Sequence, residues 1–252
     1  MGIVNATPDS FSDGGRFLDA GAAVEHGLRL VAEGANVIDV GGESTRPGAG
    51  EVTVDEERRR VVPVVEALAP HVRVSVDTRK AEVAEAAVTA GATLVNDVGA
   101  SLWEVAAGCG AGWIAMHMQG VPASMQADPR YDDVVVEVRS FLLDRAAAAV
   151  AAGVAEVWID PGIGFGKADD HNLDLLAHLD ELVATGYPVV VGTSRKGFLG
   201  RLTGGAGVDD RVQGSVATAT WALAQGAAMV RVHDVAATVA AARLLGDEVA
   251  AA

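Results

Sequence analysis

Apolar residues recur along the chain in eight short runs: Gly2 to Val4, Val37 to Val40, Val72 to Val76, Thr93 to Val95, Trp113 to Met116, Val157 to Ile159, Val189 to Val191 and Met229 to Val232. Most are rich in β-branched residues, and each is followed by a polar residue or a glycine. Continuous apolar runs of this length predict strands buried on both faces, as in a parallel sheet covered by helices. Between them, Ala20 to Glu33, Ala81 to Ala90, Val134 to Ala152 and Leu173 to Ala184 carry apolar residues at three- and four-residue intervals, which predicts helices.

Thr53 and Glu56 have capping-box spacing before Val61, Val64, Val65 and Leu68. Pro63 should kink that helix or mark its real start. Strand and helix therefore alternate eight times, and the predicted fold is α/β, a (β/α)8 TIM barrel forming a single domain over residues 1–252. A doubly wound sheet is the main alternative, but eight repeated units without a Gly-rich first turn favour closure. Val235 to Ala252 reads as the last helix with a frayed tail.

Composition narrows the class of ligand. Half the residues are hydrophobic, yet no uninterrupted apolar stretch approaches the roughly 18 residues of a membrane span. Lys plus Arg number 19 against 34 Asp plus Glu, and the net charge of -15 opposes non-specific attraction to nucleic acid or an anionic membrane. An anionic ligand must therefore meet a local positive site. The single cysteine, Cys109, is expected in the core, and its solitude together with the lack of a signal segment favours the cytoplasm.

The sixth run leads into Asp160-Pro161-Gly162-Ile163-Gly164-Phe165-Gly166-Lys167. Three alternating glycines let backbone approach a ligand, with a carboxylate acceptor beside them. A P-loop is excluded, because Pro161 and Ala168 stand where glycine and Ser or Thr are needed. The dinucleotide fingerprint fails at Lys167. A plain turn is the competing reading.

In a barrel, ligands meet the carboxyl ends of the strands and the loops that follow. Those places hold Asn5, Glu43, Thr45, Arg46, Asp77, Asn96, Asp97, His117, Asp160, Gly192, Arg195, Lys196, Arg231 and His233. Taken singly, an Asp there often caps a helix and a lone His often satisfies a core hydrogen bond. Asp77, Asn96 and Asp160 converging on one mouth would read a flat heterocycle rich in N–H groups. Arg46, Arg231 and His233 would hold an anion, and Arg231 and His233, two apart on a strand, share one face. No His or Cys pair has zinc spacing, whereas the Asn5 carboxamide suits a magnesium ion bridging it and a diphosphate. The turn-rich stretches Thr7 to Gly15 and Gly41 to Gly48 resemble lids.

Together these segments resemble dihydropteroate synthases. The motifs are Asn5 with Thr7 to Gly15, Gly41 to Gly48, Asp77-Thr78, Asn96-Asp97-Val98, Met116 to Gly120, Asp160 to Lys167, Ser194-Arg195-Lys196 and Arg231 to Val235. The resemblance implies condensation of 6-hydroxymethyl-7,8-dihydropterin diphosphate with 4-aminobenzoate in folate biosynthesis, with Mg2+ present. It implies that Asp77, Asn96, Met116, Asp160, Phe165 and Lys196 hold the pterin. Asn5, Thr45, Arg46, Arg231 and His233 would hold the diphosphate, Asn5 also meeting magnesium. Phe11, Pro47, Lys196 and Gly197 would form the aminobenzoate pocket, and Asp77, Lys196, Arg231 and His233 would carry the catalytic roles. Many family members have serine where Gly197 leaves only a backbone N–H, which bears on aminobenzoate and sulfonamide affinity. A homodimer through the late helices, near Trp221 and Leu223, is also implied.

Two other functions share parts of this pattern. A corrinoid-linked pterin methyltransferase would keep the Asp and Asn acceptors but needs neither the lids nor Ser194-Arg195-Lys196. A catalytically silent paralogue would bind pterin without turnover.

Overall fold

The computed structural model describes residues 1–7, 20–44, 50–122 and 124–246. Its strands are β1 (Gly2–Asn5), β2 (Val37–Gly41), β3 (Arg73–Asp77), β4 (Leu94–Asp97), β5 (Gly112–Met116), β6 (Val157–Asp160), β7 (Val190–Val191) and β8 (Met229–Val230). The described helices are α1 (Ala20–Ala32), α2 (Val54–Leu68), α3 (Ala81–Thr89), α4 (Trp103–Cys109), α5 (Val134–Ala151), α6 (Asp169–Ala177), α7 (Leu179–Val183), α8 (Gly197–Leu202), α9 (Val212–Ala224) and α10 (Val235–Ala242).

Strands β1 to β6 pair in chain order, all parallel, and β7 pairs with β8. Single parallel bridges, Ile159 to Val189 and Gly2 to Val232, join the two sheets into a closed barrel. Closure rules out the doubly wound alternative. Among the described residues no helix is long and apolar enough to cross a membrane.

Period-two alternation sorts each strand between the helices and the barrel interior. Val37, Leu94, Ile114 and Val190 form an apolar cluster with Met1, Trp158 and Met229 inside the barrel. Two residues further along those strands come Asp39, Asn96, Met116, Asp160, Gly192 and Arg231. The interior thus passes from an apolar floor to a polar layer within one pleat period. The alternate positions, among them Val40, Val74, Val95, Ala115 and Ile159, join the larger core shared with the helices.

On α2, Val61, Val64, Val65 and Leu68 are fully buried, each contributing about 1.5–3 kcal/mol by burial. The helix begins at Val54 and runs through Pro63, so the proline does not mark its start. Thr53 Oγ1 accepts from the Glu56 N–H at 3.3 Å, while the Glu56 side chain pairs with Arg59 and Arg60, so only half of the expected capping box forms. The expected Leu173 to Ala184 helix is divided at His178, whose φ of -115° is non-helical. Cys109 is partly exposed at the end of α4 rather than in the core. After α10 the described chain continues through a short 3-10 turn, Arg243–Leu245.

Candidate active site

The carboxyl ends of the strands frame a cleft that opens to solvent, about 490 Å3 when its open space is included. Its walls include Asp77, Asn96, Met116, Asp160, Phe165, Lys196, Arg231 and His233, with Gly192 and Ser194 between them. Every side chain that the sequence assigned to the heterocycle therefore faces one space. Among the wall residues Asp77, Asn96, Met116, Asp160 and Arg231 are the inward positions of β3, β4, β5, β6 and the end of β8, which is why they converge.

Arg231 organises the polar layer. Its Nε donates to Asp39 Oδ2 at 2.6 Å and its Nη2 to Asp77 Oδ2 at 2.6 Å. Asn96 Nδ2 donates to the same Asp39 oxygen at 2.9 Å, so one buried carboxylate grips two wall residues. Asp39 Oδ1 is buried without a hydrogen-bond partner among the described residues. Sequence reasoning missed Asp39, whose signal was a lone charge inside an apolar run.

Crowding of charge in this layer shifts the ionisations. Burial, with the Asp39 and Glu57 carboxylates, pushes Asp77 up to about 7 against the pull of Arg231. Burial also raises Asp160, opposed by the Gly162 N–H and by Lys196. Lys196 is pushed down to about 7 by burial and by Arg231, against Asp160 and Asp77. Burial works against the Arg231 charge, but Asp39 and Asp77 outweigh it and hold that group above its ordinary range. Lys196 Nζ sits 3.9 Å above the centroid of the Phe165 ring, a cation–π contact at the cavity wall.

Beside Arg231, the Ser194 hydroxyl lies 3.0 Å from Nδ1 of His233 and accepts from the His233 N–H at 3.0 Å. This fixes the imidazole against the turn after β7. The mouth thus offers carboxylate and amide acceptors on one side and Lys196, Arg231 and His233 on the other. Such a set suits a ligand with a hydrogen-bonding planar part and an anionic tail.

Other strand-end residues are turned to structural work. Asp97 accepts from the N–H groups of Gly99, Ser101 and Leu102 and from Trp113 Nε1, shaping the turn after β4. His117 is buried behind the wall, edge-on to Phe141 with centroids 5.0 Å apart. Arg195, in the left-handed region at φ 56°, forms two hydrogen bonds to Asp234 and faces away from the cavity. Glu43 is clasped by Arg79 and Lys80 and accepts from the Val52 N–H, tying together the two ends of the loop after β2.

Asn5 ends β1 opposite Gly41 and is partly exposed at the mouth, outside the cavity wall. Gly197 begins α8 and is exposed. Phe11, Thr45, Arg46 and Pro47 lie outside the described residues.

Known proteins resemble the chain over most of its length. The family model described as "Pterin binding enzyme" matches residues 1–233. Dihydropteroate synthase of Escherichia coli (strain K12) is 47% identical over 253 residues, covering 97% of this chain and 89% of its own. The solved structure of Xanthomonas albilineans dihydropteroate synthase with 4-aminobenzoic acid superposes with a TM-score of 0.91 at 50% identity, covering 100% of this chain and 92% of that one. The structure of that enzyme in complex with 7,8-dihydropteroate gives 0.88 at 47% identity, covering 100% and 93%.

Proposed function

The chain belongs to the pterin-binding enzyme family, and on that premise we propose that it is a dihydropteroate synthase, joining 6-hydroxymethyl-7,8-dihydropterin diphosphate to 4-aminobenzoate. The observation that carries this reading is the convergence of Asp77, Asn96, Asp160 and Lys196 on one cavity that also holds Arg231 and His233. A methyltransferase needs no anion site of that kind, and full-length likeness to dihydropteroate synthases argues against it.

Asp77, Asn96, Asp160 and Lys196 bind the pterin edge, with Met116 and Phe165 packing on the ring. Arg231 and His233, with Asn5, Thr45 and Arg46, hold the diphosphate. Phe11, Pro47, Lys196 and Gly197 frame the aminobenzoate. Breaking the methylene C–O bond sends its electron pair to the departing diphosphate and leaves positive charge on the methylene, which the pterin ring shares. Asp77 and Asp160, largely buried in the wall, stabilise that charge. The aromatic amine then supplies the pair for the new C–N bond and loses a proton. Arg231 serves both halves, because its guanidinium is already held by Asp39 and Asp77 where the leaving group departs.

Magnesium fits as a substrate-borne ion. No group of three or more His, Cys, Asp or Glu is placed to hold a metal among the described residues, so an all-protein cage is not formed there. The Asn5 carboxamide at the mouth is a hard oxygen donor suited to an ion held chiefly by diphosphate oxygens and water. When bound, the ion would neutralise charge on the departing diphosphate.

A homodimer is part of the same reading. Trp221 on α9 is 48% exposed, and Leu173 and Leu202 are exposed on α6 and α8, giving the late helices apolar residues for a second copy. Leu223 is half-buried.

Purified protein should release diphosphate only with both substrates and magnesium present. Release no greater than that of a Lys196→Ala variant rejects the reading, and pterin binding without release selects the silent paralogue.

A further inference from the structure

The loop from Asp160 to Lys167 is held from behind by side chains. Tyr131 Oη donates to the Gly166 carbonyl at 2.8 Å and Gln126 Nε2 to the Gly164 carbonyl at 2.5 Å. Asn172 Oδ1 accepts from the Gly164 N–H at 2.6 Å. The loop also packs backbone against backbone on the segment after β5. A Cβ at Gly162 would stand 1.8 Å from the His117 carbonyl oxygen, and one at Gly166 would stand 2.2 Å from that of Gln119.

Lys167 lies at the centre of this arrangement, only 1% exposed and outside the cavity wall. Its Nζ donates to the carbonyls of Gly162 and Phe165, each at 3.1 Å, and reaches the His117 carbonyl at 3.4 Å. It also lies 2.9 Å from His117 Nδ1. An ammonium buried among neutral acceptors is costly, and burial pushes this amine down to about 7. The amine does more than fill space, because a methionine of similar length would leave the Gly162 and Phe165 carbonyls without that donor.

Two short paths lead from Nζ to the cavity. Gly162 presents its carbonyl to Lys167 and its N–H to Asp160 Oδ1, the latter at 2.7 Å. One residue thus links the buried amine to the carboxylate. Phe165 gives its carbonyl to Lys167 and its ring to the cavity wall, under Lys196.

We propose that Lys167 is a positioning residue for the pterin, fixing the Asp160 carboxylate through Gly162 and the Phe165 ring through its own carbonyl. Its one path toward the aminobenzoate end runs through the Phe165 ring beneath Lys196, so the larger effect falls on the pterin, which both paths reach. The inference rests on the reading of the cavity as a pterin site.

The test compares full-length wild type with Lys167→Met, which keeps the length and removes the donors, and Lys167→Arg, which keeps them. Thermal unfolding establishes folding, calorimetry with pterin-6-carboxylate reads the pterin site, and the KM for 4-aminobenzoate reads the other end. Folded Lys167→Met should bind the pterin about tenfold more weakly or worse, with the aminobenzoate KM within about twofold of wild type and Lys167→Arg in between. Pterin affinity within twofold of wild type in folded Lys167→Met overturns the proposal. Equal weakening of both substrates does so too. If neither variant folds, the residue supports the barrel as a whole and the proposal is likewise overturned. Wild-type protein that binds no pterin removes the reading of the cavity and this inference with it, whereas wild-type binding with an unaffected Lys167→Met removes the inference alone.

Discussion

Asp39 and Arg231 form a hydrogen-bonded ion pair of 2.6 Å across the barrel interior, from the second strand to the end of the eighth. Asp39 is one of the charges that raise Asp77, after burial itself. In Asp39→Asn that repulsion is gone, so Asp77 should ionise at lower pH. The acid limb of the kcat/KM profile is expected to move down in pH, and kcat/KM near pH 8 to fall about tenfold or more as the shared acceptor of Arg231 and Asn96 becomes a neutral amide oxygen. An acid limb that stays in place would show that Asp39 does not act on Asp77.

The chain has three lysines, and their surroundings separate their reactivity. Lys196 is pushed down to about 7 chiefly by burial and is open to the cavity. Burial opposes the charge on Lys80, but Glu43 and Glu57 prevail and raise it, while Lys167 is walled in. An amine-acylating reagent at pH 8 should therefore label Lys196 first among the lysines. Because the charged form takes over as pH falls through about 7, the rate should drop about tenfold between pH 8 and pH 6. Peptide mapping by mass spectrometry reads this directly, and preferential labelling of Lys80 would contradict it.

Gly162→Ala and Gly166→Ala should be severe. Both glycines have positive φ, 65° and 62°, and the added methyl would meet a carbonyl oxygen that belongs to a strand end or its turn. Gly153→Ala, at φ 96° with open space around it, isolates the backbone cost and should lose about 1–2 kcal/mol. The two loop variants should lose clearly more in denaturant titrations, or keep stability only by giving up pterin binding. Equal losses at all three positions would mean that the close packing is unimportant.

At the other end of the barrel, Arg73 and Glu156 make two hydrogen bonds at 2.9 and 2.6 Å, but both are about a third exposed. Solvent screening limits such a pair to about 1 kcal/mol or less. Arg73→Ala should leave kcat/KM unchanged and shift the unfolding midpoint only slightly. A large loss of activity would reveal a connection through the floor that the geometry does not show.

Most of the eight runs were legible because burial on both faces removes the need for alternation, whereas Val72 to Val76 alternates with Arg73 and Ser75, and strand-end placement brought Asp77, Asn96, Asp160, Lys196, Arg231 and His233 together. Asp39 was hidden because it lies within a strand, two residues before the end, where a rule about strand ends does not look. Asn96 and Asp97 looked equivalent in sequence, yet adjacent strand positions face opposite ways, and only Asn96 enters the cavity. The same alternation separates Met116 from His117. Lys167 followed a glycine-rich loop and suggested phosphate, but the left-handed glycines turn the chain so that its amine points back under the loop. Phe11, Thr45, Arg46 and Pro47, read from motif likeness, lie outside the described residues.

The division of the barrel into six strands and two gives the cavity two carriers. Asp77, Asn96 and Asp160 ride on the six-stranded sheet, whereas the turn after β7 carries Lys196, and Arg231 and His233 follow β8. Backbone joins the two at single bridges, and Arg231 reaches across to Asp39 and Asp77. The guanidinium that faces the leaving group is therefore also a clasp on the ring of strands. A change at that residue should be felt in amide exchange along the seam between β8 and β1 as well as in turnover, so that for this fold the chemistry and the closure of the barrel share one side chain.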